Sequence, residues 1–366
     1  MADSFLSVDD LTKVIQGATL IGSGGGGSPA SGAIVVDAIS KLTDRVRFQT
    51  LDEVPDEAVV AAVCGFGSPA VLLKRGCVVQ NFFAVETLER AIGKKIDYIV
   101  PYESGGYNSL TPFYAAAVKG IPVLDCDGTG RAVCEWYISM FEVHRIPMSP
   151  FALANEQGHA AVIYADNMID VDRYARGVLR EFGLISGTAE HVMSGAKARS
   201  AMVPGMISME RDLGAAILDS LAKGRDPLDV ILKKTHGFLL FEGTVTNKEV
   251  RTSPIGSDHG LIELEGRGPS GRKKLRVYFK NESILATGPN GTPVTILPDI
   301  ITYLDAEGHP VTNADVKKGS KLRVLGIPIH PKCRDSRAIP LYQKVLADVL
   351  GFQKSYVPVE QLQSGR

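Results

Sequence analysis

The 366-residue sequence predicts an α/β protein in three parts. Short apolar runs alternate with helical periodicity in residues 1–167, which predicts an N-terminal α/β domain with a mainly parallel sheet. Helical periodicity dominates residues 168–236, so we expect a helical segment packed between domains. Short β runs separated by turn residues fill residues 237–366, and they predict a β-rich domain with a C-terminal helix.

Composition and charge exclude several classes of protein. Hydrophobic residues make up 45% and charged residues 22% of the chain, as in ordinary soluble globular proteins. A net charge of -1 offers no basic field for nucleic acid or an anionic membrane. The five cysteines lack CxxC spacing, so neither a disulfide framework nor a zinc ribbon is predicted. Because no signal-peptide pattern and no apolar run of about 20 residues is present, we expect a cytoplasmic protein.

The first helix is predicted to begin after Ser7, which opens a capping box, and to end before a glycine run. That run consists of Gly24, Gly25, Gly26 and Gly27. Without Cβ atoms, their N–H groups can approach an anion or a substrate carbonyl, so we predict a substrate-binding loop. It is not a P-loop or a dinucleotide fingerprint, because the lysine of the first and the preceding strand of the second are missing. A turn without a ligand is the alternative.

Residues 101–135 carry most of the candidate chemistry. A buried strand over 58–66 and a helix ending at Gly93 precede them, and strands at 98–100 and 121–124 each run into a Gly-rich loop. The first loop carries Glu103, Ser104, Gly105, Gly106 and Asn108, and the second carries Asp125, Asp127 and Arg131. Because the carboxyl ends of parallel strands share one edge, we expect these side chains in one crevice. Helix capping is the alternative interpretation of Ser104, Asn108 and Asp127.

The rest of the sequence gives weaker signals. The stretch 191–195 is predicted to be a loop that can reach the crevice. Asp258, His259, Glu282, Asp299 and His330 lie near predicted strand ends in the β-rich part. These residue types suit a divalent metal such as zinc or manganese, but their spacing is not diagnostic, so the cofactor is left open.

Several motifs, in this order, make the chain similar to the S-methyl thiohydantoin desulfurase family, whose members also carry hydantoinase-like or oxoprolinase-like labels. The motifs are the glycine run, Pro-Tyr-Glu-Ser-Gly-Gly-Tyr-Asn-Ser at 101–109, Leu-Asp-Cys-Asp-Gly-Thr-Gly-Arg-Ala at 124–132, Phe-Lys-Asn-Glu at 279–282, Leu-Pro-Asp at 297–299, Val-Leu-Gly at 324–326 and Tyr-Val-Pro-Val at 356–359. The similarity covers nearly the whole chain. Cys134, Lys280 and the loop 258–260 depart from the family's usual residues.

The resemblance implies a hydrolase that removes H₂S or methanethiol from a thiohydantoin-type ring and leaves a hydantoin. Glu103 or Asp125 is then the general base, with Asp127 as a neighbouring carboxylate. Asn108 and the glycine amides hold the ring, and Arg131 orients Asp125 or binds a substrate carboxylate. A metal-activated water is an alternative to the base.

Two other functions stay open: a ring-opening amidohydrolase and a non-catalytic protein that binds a small molecule. In each case the expected partner is a small cyclic amide or thioamide. We expect no nucleic acid and no membrane as partners, and a homo-oligomer is left open.

Overall fold

A computed structural model of the chain describes residues 4–252, 257–267 and 274–364. The first part of the chain forms an eight-stranded sheet, a small two-stranded sheet and the helices around them. The strands are β1 (Ser4–Ser7), β2 (Arg45–Gln49), β3 (Val59–Gly67), β4 (Tyr98–Pro101), β5 (Val123–Leu124), β6 (Cys126–Asp127), β7 (Phe151–Ala154), β8 (Ala160–Ile163), β9 (Ile185–Ser194) and β10 (Val203–Pro204). The helices are α1 (Val8–Ile21), α2 (Pro29–Ser40), α3 (Pro69–Arg75), α4 (Gln80–Ile92), α5 (Thr111–Lys119), α6 (Met140–Val143), α7 (Met168–Glu181), α8 (Gly195–Ala201), α9 (Met206–Ala222) and α10 (Leu228–Thr235).

The eight strands of the large sheet lie in the order β1-β2-β5-β4-β3-β9-β7-β8. Strands β2, β5, β4 and β3 pair in parallel, and the strands on both sides of them pair antiparallel. Strand β3 is apolar and mostly buried on both faces, as expected for a parallel strand covered by helices. The predicted α/β class with a mainly parallel sheet is confirmed.

The start of α1 follows the sequence prediction. The Ser7 hydroxyl accepts the N–H of Asp10, and the Asp10 carboxylate accepts the N–H of Ser7, so the capping box forms. Leu11, Val14 and Ile15 are buried on the inner face of the helix. The helix ends at Ile21 and delivers the glycine run toward the middle of the molecule.

Strand β9 corrects the prediction that residues 168–236 are helical and that 191–195 form a loop. Residues 185–194 pair antiparallel with β3 near the centre of the large sheet. The strand was missed because Ser186, Thr188 and Glu190 are fully buried polar residues, so the usual alternation of apolar and polar side chains is absent. His191 interrupts the pairing with β3 and has a φ of 51°.

The last part of the chain confirms the predicted β-rich C-terminal domain. It is an antiparallel half-barrel with the strand order β15-β14-β13-β12-β11-β18-β16-β17. Its elements are β11 (Phe238–Thr252), β12 (Asp258–Arg267), β13 (Lys274–Lys280), β14 (Glu282–Thr287), β15 (Pro293–Ile296), β16 (Ile300–Leu304), β17 (Pro310–Val311), β18 (Lys321–Ile327), α11 (Ile339–Leu350) and α12 (Val359–Ser364). Within the described parts of the chain, no helix has the length and apolar character needed to span a membrane.

The segment that follows α1 joins the two sheets. The Ser23 carbonyl accepts the N–H of Ser283, and the Gly24 carbonyl accepts the N–H of Asn313. The Ser23 hydroxyl also accepts the N–H of Ile301 at 3.0 Å. The glycine run is therefore fixed between the N-terminal sheet and the half-barrel.

Candidate functional site

Glu103 follows β4 and is held by two hydrogen bonds. The Asn108 side-chain amide donates to Oε1 at 2.6 Å, and the N–H of Val133 donates to Oε2 at 2.8 Å. Oδ1 of the Asn108 side chain in turn accepts the N–H of Gly65 at 3.2 Å, which links the loop to the end of β3. The predicted neighbours Glu103 and Asn108 are thus in direct contact at the carboxyl ends of two parallel strands.

The second carboxyl group of the site is Glu282, which the half-barrel supplies. It begins β14, just after Asn281, whose φ of 53° allows the tight connection from β13. Its Oε1 would lie 2.0 Å from a Cβ on Gly25, so the carboxyl group rests directly on the glycine run. Its Oε2 has no hydrogen-bond partner among the described residues.

Glu103 and Glu282 disturb each other's ionisation. Burial, followed by the charge of Glu282, raises the pKa of Glu103 well above its ordinary value. Burial also raises the pKa of Glu282 to about 7, while the charge of Arg131 opposes the rise. Because two like charges in a buried site are costly, the pair holds one proton near neutral pH. The two carboxyl groups, whose charges interact, thus offer one proton acceptor and one proton donor.

The glycine run makes a close backbone contact rather than an open cradle. The Gly26 carbonyl accepts the N–H groups of Tyr107 and Asn108. A Cβ on Gly26, whose φ is 68°, would lie 2.6 Å from the Ser104 carbonyl oxygen, and one on Gly27 would lie 2.2 Å from the Cβ of Tyr107. Glycine is needed here because backbone segments touch. Substrate contact by Gly24–Gly27 stays a prediction.

Both oxygens of Asp127 accept hydrogen bonds, from its own loop and from Ser104 of the first loop. Its Oδ1 accepts the N–H groups of Thr129 and Gly130 at 3.0 and 2.7 Å, and its Oδ2 accepts the Ser104 hydroxyl at 2.8 Å. Burial nevertheless raises its pKa to about 6. The carboxylate therefore shapes the loop that also carries Arg131.

Asp125 points to a different element than expected. Its Oδ1 accepts the N–H of Ser208 at 3.0 Å in the first turn of α9. Its carbonyl accepts the N–H of Gly205, which precedes that helix. The expected pairing of Glu103 with Asp125 is corrected: the carboxyl groups whose charges raise the pKa of Glu103 are Glu282 and, to a smaller extent, Asp127. The sequence could not reveal this, because Gly205 and Met206 provide no capping side chain, and Asp125 takes that role from a distant loop.

The polar residues of the first loop hold it in place. The hydroxyl group of Ser109 accepts the N–H of Gly105 at 3.0 Å and donates to Glu210 on α9 at 3.1 Å. Gly106 lies against Thr19 of α1, where a Cβ would be 2.5 Å from the threonine hydroxyl oxygen. Neither Ser104 nor Asn108 caps α5, which begins after Leu110 without a side-chain cap.

Arg131 is fully buried, and backbone carbonyls occupy its guanidinium group. The two terminal nitrogens donate to the carbonyls of Asp299 at 3.0 Å and Ser283 at 2.8 Å, and Nε donates to Ala132 at 2.9 Å. This corrects the expectation that Arg131 orients Asp125 or binds a substrate carboxylate. The half-barrel strands close over the loop, so the guanidinium group ties the two domains together.

A partly exposed rim, formed by the ion pair of Glu135 and Lys280, lies beside Glu282. Glu135, two residues after Val133, forms an ion pair with Lys280, and these two side chains are 26% and 16% exposed. Lys280 pairs across the β13–β14 turn with Glu282 and across β12 with His259. The rim therefore combines groups from both domains next to Glu282.

Sequence reasoning missed Glu282 as a partner of Glu103, and it missed Glu190. The signals for Glu282 were its place near a predicted strand end and the Phe-Lys-Asn-Glu motif at 279–282, and neither points to Glu103. Glu190 is fully buried on β9, and neither of its carboxyl oxygens has a partner among the described residues.

The Cys64 thiol is not a candidate nucleophile. Burial, followed by the charges of Glu103 and Glu190, raises its pKa, which argues against a thiolate there.

The candidate metal ligands of the sequence do not converge. His259 lies beside Ser257 with 3.5 Å between Nε2 and the hydroxyl, and Nδ1 of His330 accepts the N–H of Lys332. Asp299 is bound by Arg334 and by Tyr356. Across residues 4–252, 257–267 and 274–364, no three His, Cys, Asp or Glu side chains are arranged to hold an ion. The donor set does not fit a metal, so no step is derived through one.

The fold and the site together define a two-domain α/β protein with a buried carboxyl pair assembled from both domains. The S-Me-THD-like N-terminal domain model matches residues 9–165, and the S-Me-THD-like C-terminal domain model matches residues 165–359. The chain therefore belongs to the S-Me-THD-like family, which confirms the resemblance to the S-methyl thiohydantoin desulfurase family.

One solved structure extends the comparison over nearly the whole chain. It is the X-ray crystal structure of a protein from Chromobacterium violaceum, 26% identical, with a TM-score of 0.85. The match covers 97% of this chain and 100% of that one. Comparison with curated proteins gave no significant match.

Proposed function

We propose that the chain is a hydrolase that removes methanethiol or H₂S from a thiohydantoin-type ring and leaves a hydantoin. The observation that carries the proposal is the Glu103–Glu282 pair, because hydrolysis at an amidine-like carbon needs a proton acceptor for water and a proton donor for the ring. Membership of the S-Me-THD-like family supports this choice of ring.

An open carboxyl oxygen and nearby positive charges support Glu282 as the base. Both oxygens of Glu103 already accept hydrogen bonds, whereas Oε2 of Glu282 has no partner within the described residues. The Arg131 and Lys280 charges also favour the ionised form of Glu282. Because Oε2 of Glu282 is open and nearby cations favour its ionised form, Glu282 is the base. Glu103 keeps the proton because burial and the Glu282 charge raise its pKa well above the ordinary value, against the opposing effect of its two hydrogen bonds.

The proton transfers balance over two steps when the substrate carries an S-methyl group. In the first step, water attacks the ring carbon that carries sulfur, Glu282 takes a proton from the water, and Glu103 gives its proton to the ring nitrogen. In the second step, the C–S bond breaks, Glu103 takes the proton of the new hydroxyl group, and Glu282 protonates the departing methanethiolate. Both carboxyl groups return to their starting states.

Asn108 contributes by positioning. A side-chain amide has two N–H donors, and the bond to Glu103 uses one of them. The second can bind a ring carbonyl, as the sequence analysis expects for this residue. The hydrogen bond from Gly65 to the Asn108 oxygen fixes the orientation of the amide, so its nitrogen faces Glu103.

The proposal is tested with purified protein and a set of S-methyl thiohydantoins and 2-thiohydantoins. Released thiol or sulfide is measured with a thiol reagent, and the ring product is identified by mass spectrometry. We expect Glu282→Gln and Glu103→Gln each to lower kcat/KM by about 10²–10⁴-fold, the usual contribution of general acid–base catalysis. Glu57→Gln, an exposed carboxylate before β3, is the matched control and keeps full activity.

Three outcomes contradict the proposal. Full activity of Glu282→Gln removes the carboxyl pair from the mechanism. A ring-opened product from a sulfur-free hydantoin assigns the site to amidohydrolase chemistry. Binding of intact rings without any turnover makes the chain a binding protein.

A further inference from the structure

Glu210 of α9 is a fully buried carboxyl group that the proposed reaction does not use. Its Oε1 accepts the Ser109 hydroxyl at 3.1 Å, whereas its Oε2 has no hydrogen-bond partner within the part of the chain that the structure describes. Burial raises the pKa of Glu210 well above its ordinary value; the Ser104 hydroxyl opposes the rise, and the Asp127 charge adds to it. Glu210 is therefore a neutral carboxylic acid near pH 7, with one hydroxyl group to donate.

Two serines connect Glu210 to the loop that follows β4. Ser104 comes directly after Glu103, and Ser109 comes directly after Asn108. Glu103 and Asn108 are the two residues whose side chains are in contact at 2.6 Å. The Ser104 hydroxyl donates its hydrogen to the second loop, so its oxygen is left to accept the proton of Glu210. Each of the two contacting residues thus has its neighbour in the chain beside Glu210.

Helix α9 gives Glu210 a rigid support, because two glycines let α1 and α9 pack at backbone distance. A Cβ on Gly17 would lie 1.9 Å from the Glu210 carbonyl oxygen. A Cβ on Gly214 would lie 1.8 Å from the Lys13 carbonyl oxygen. Asp125 holds the start of the same helix through two backbone N–H groups. A side chain on such a support can fix the position of a loop that carries catalytic groups.

We propose that Glu210 is a positioning residue, which acts through Ser104 and Ser109 to hold Glu103 against Asn108 in the arrangement that the reaction needs. This inference rests on the proposed function and deepens it. Glu210 serves as a neutral donor and acceptor of hydrogen bonds, so a negative charge has no part in this role. The placement matters because a shift of about 1 Å in a catalytic group can cost about 10²-fold in rate.

Two substitutions of similar size separate hydrogen bonding from packing. Glu210→Gln keeps a donor and an acceptor, whereas Glu210→Met fills the same space without a strong hydrogen-bonding group. With an S-methyl thiohydantoin, we expect Glu210→Met to lower kcat about 10- to 100-fold and to change KM less than about twofold. Glu210→Gln should keep kcat within about threefold of the unmodified protein. Asp212→Asn, an exposed carboxylate on the same helix, is the control, and circular dichroism confirms that each variant is folded during the assay.

A double-mutant cycle with Ser109→Ala tests whether Glu210 acts through the loop. If it does, Ser109→Ala and Glu210→Met together lower kcat by less than the product of their separate effects. Independent effects of the two substitutions overturn the inference. An unchanged kcat in folded Glu210→Met, or an equal loss in Glu210→Gln and Glu210→Met, also overturns it.

A second measurement separates failure of the inference from failure of the proposed function. Turnover by the unmodified protein reports on the proposed function alone. If no ring is turned over, ¹³C NMR of protein with labelled glutamate carboxyl groups follows the titration of Glu103 and Glu282, assigned with their Gln variants. The hydrogen bond from Asn108 opposes the rise that burial causes in the pKa of Glu103, so Glu210→Met should raise the titration midpoint and Glu210→Gln should not. An unchanged midpoint in Glu210→Met overturns the inference.

Discussion

The loop of Asp127 and the pair Glu103–Glu282 are two acidic regions at neighbouring strand ends, and the protein satisfies them to different degrees. The three carboxyl groups are almost equally buried, with exposures of 1%, 6% and 4% for Asp127, Glu103 and Glu282. Asp127 accepts three hydrogen bonds from its own surroundings. Glu282 instead keeps one oxygen without a partner among the described residues, and its charge raises the pKa of Glu103. The open oxygen, rather than the degree of burial, distinguishes Glu282 from Asp127, whose two oxygens both accept hydrogen bonds.

The largest effect that we expect to separate Glu282 from Asp127 is the pH dependence of kcat/KM. Glu282 must lose a proton to act as the base, and burial raises its pKa to about 7. We therefore expect kcat/KM to fall about tenfold for each pH unit below about 7. A rate profile measured from pH 5 to 9 checks this. A profile that stays flat from pH 9 down to pH 5 contradicts the assignment, because the ionisation of Glu282 would then have no effect on the rate.

A smaller difference between the Asp127 loop and the carboxyl pair is expected in the free energy of unfolding. Asp127→Ala leaves the N–H groups of Thr129 and Gly130 and the Ser104 hydroxyl without their acceptor, so we expect a loss of about 2–4 kcal/mol in the free energy of unfolding. Urea unfolding at pH 8 measures this loss. A change below about 1 kcal/mol would show that the loop does not depend on Asp127.

Glu282→Gln is the control for that measurement, with the sign fixed by the raised pKa. Because the folded pKa of Glu282 is raised, its favourable contribution is complete below the unfolded pKa and is lost as pH rises through about 7. Glutamine does not ionise. The variant should therefore be at least as stable as the unmodified protein at pH 8, in contrast to Asp127→Ala.

Asp125 provides the smallest expected effect. Asp125→Ala removes the acceptor at the start of α9, so we expect a loss of about 1 kcal/mol in stability, as for other helix caps. The kcat on a thiohydantoin should change less than about threefold, because a loss of stability of this size leaves the protein folded and does not alter the catalytic groups. A loss of 100-fold in kcat with normal unfolding would restore Asp125 as the general base.

The sequence predicted the fold class because its signals are local. The apolar run of β3, the capping box at Ser7 and the short β runs after residue 237 each depend on neighbours in the chain. Strand β9 escaped because its signal is not local. Thr188 and Glu190 are polar residues that are fully buried in the folded protein. Polar residues in this stretch predict a loop between helices rather than a buried strand.

The candidate site was predictable only where its parts lie on one loop. Glu103 and Asn108 are five residues apart, and their contact follows from the strand end that carries them. The partner of Glu103 is 179 residues further along, since 282 minus 103 is 179. Nothing in the spacing identifies such a partner. The role predicted for Arg131 was wrong for the same reason. The carbonyls that accept its hydrogen bonds belong to the half-barrel, and the sequence around Arg131 does not indicate them.

The β13–β14 turn brings Glu282 of the half-barrel to the N-terminal domain. Ligand binding at this site should therefore raise the melting temperature. A compound that bridges Glu103 and Glu282 binds only when both halves of the chain are docked, so it stabilises the native state by about 2.7 kcal/mol at one hundred times its Kd. A dye-based thermal shift screen of small heterocycles can therefore rank ligands before any reaction is known. Compounds that engage only one half should give the weaker shifts.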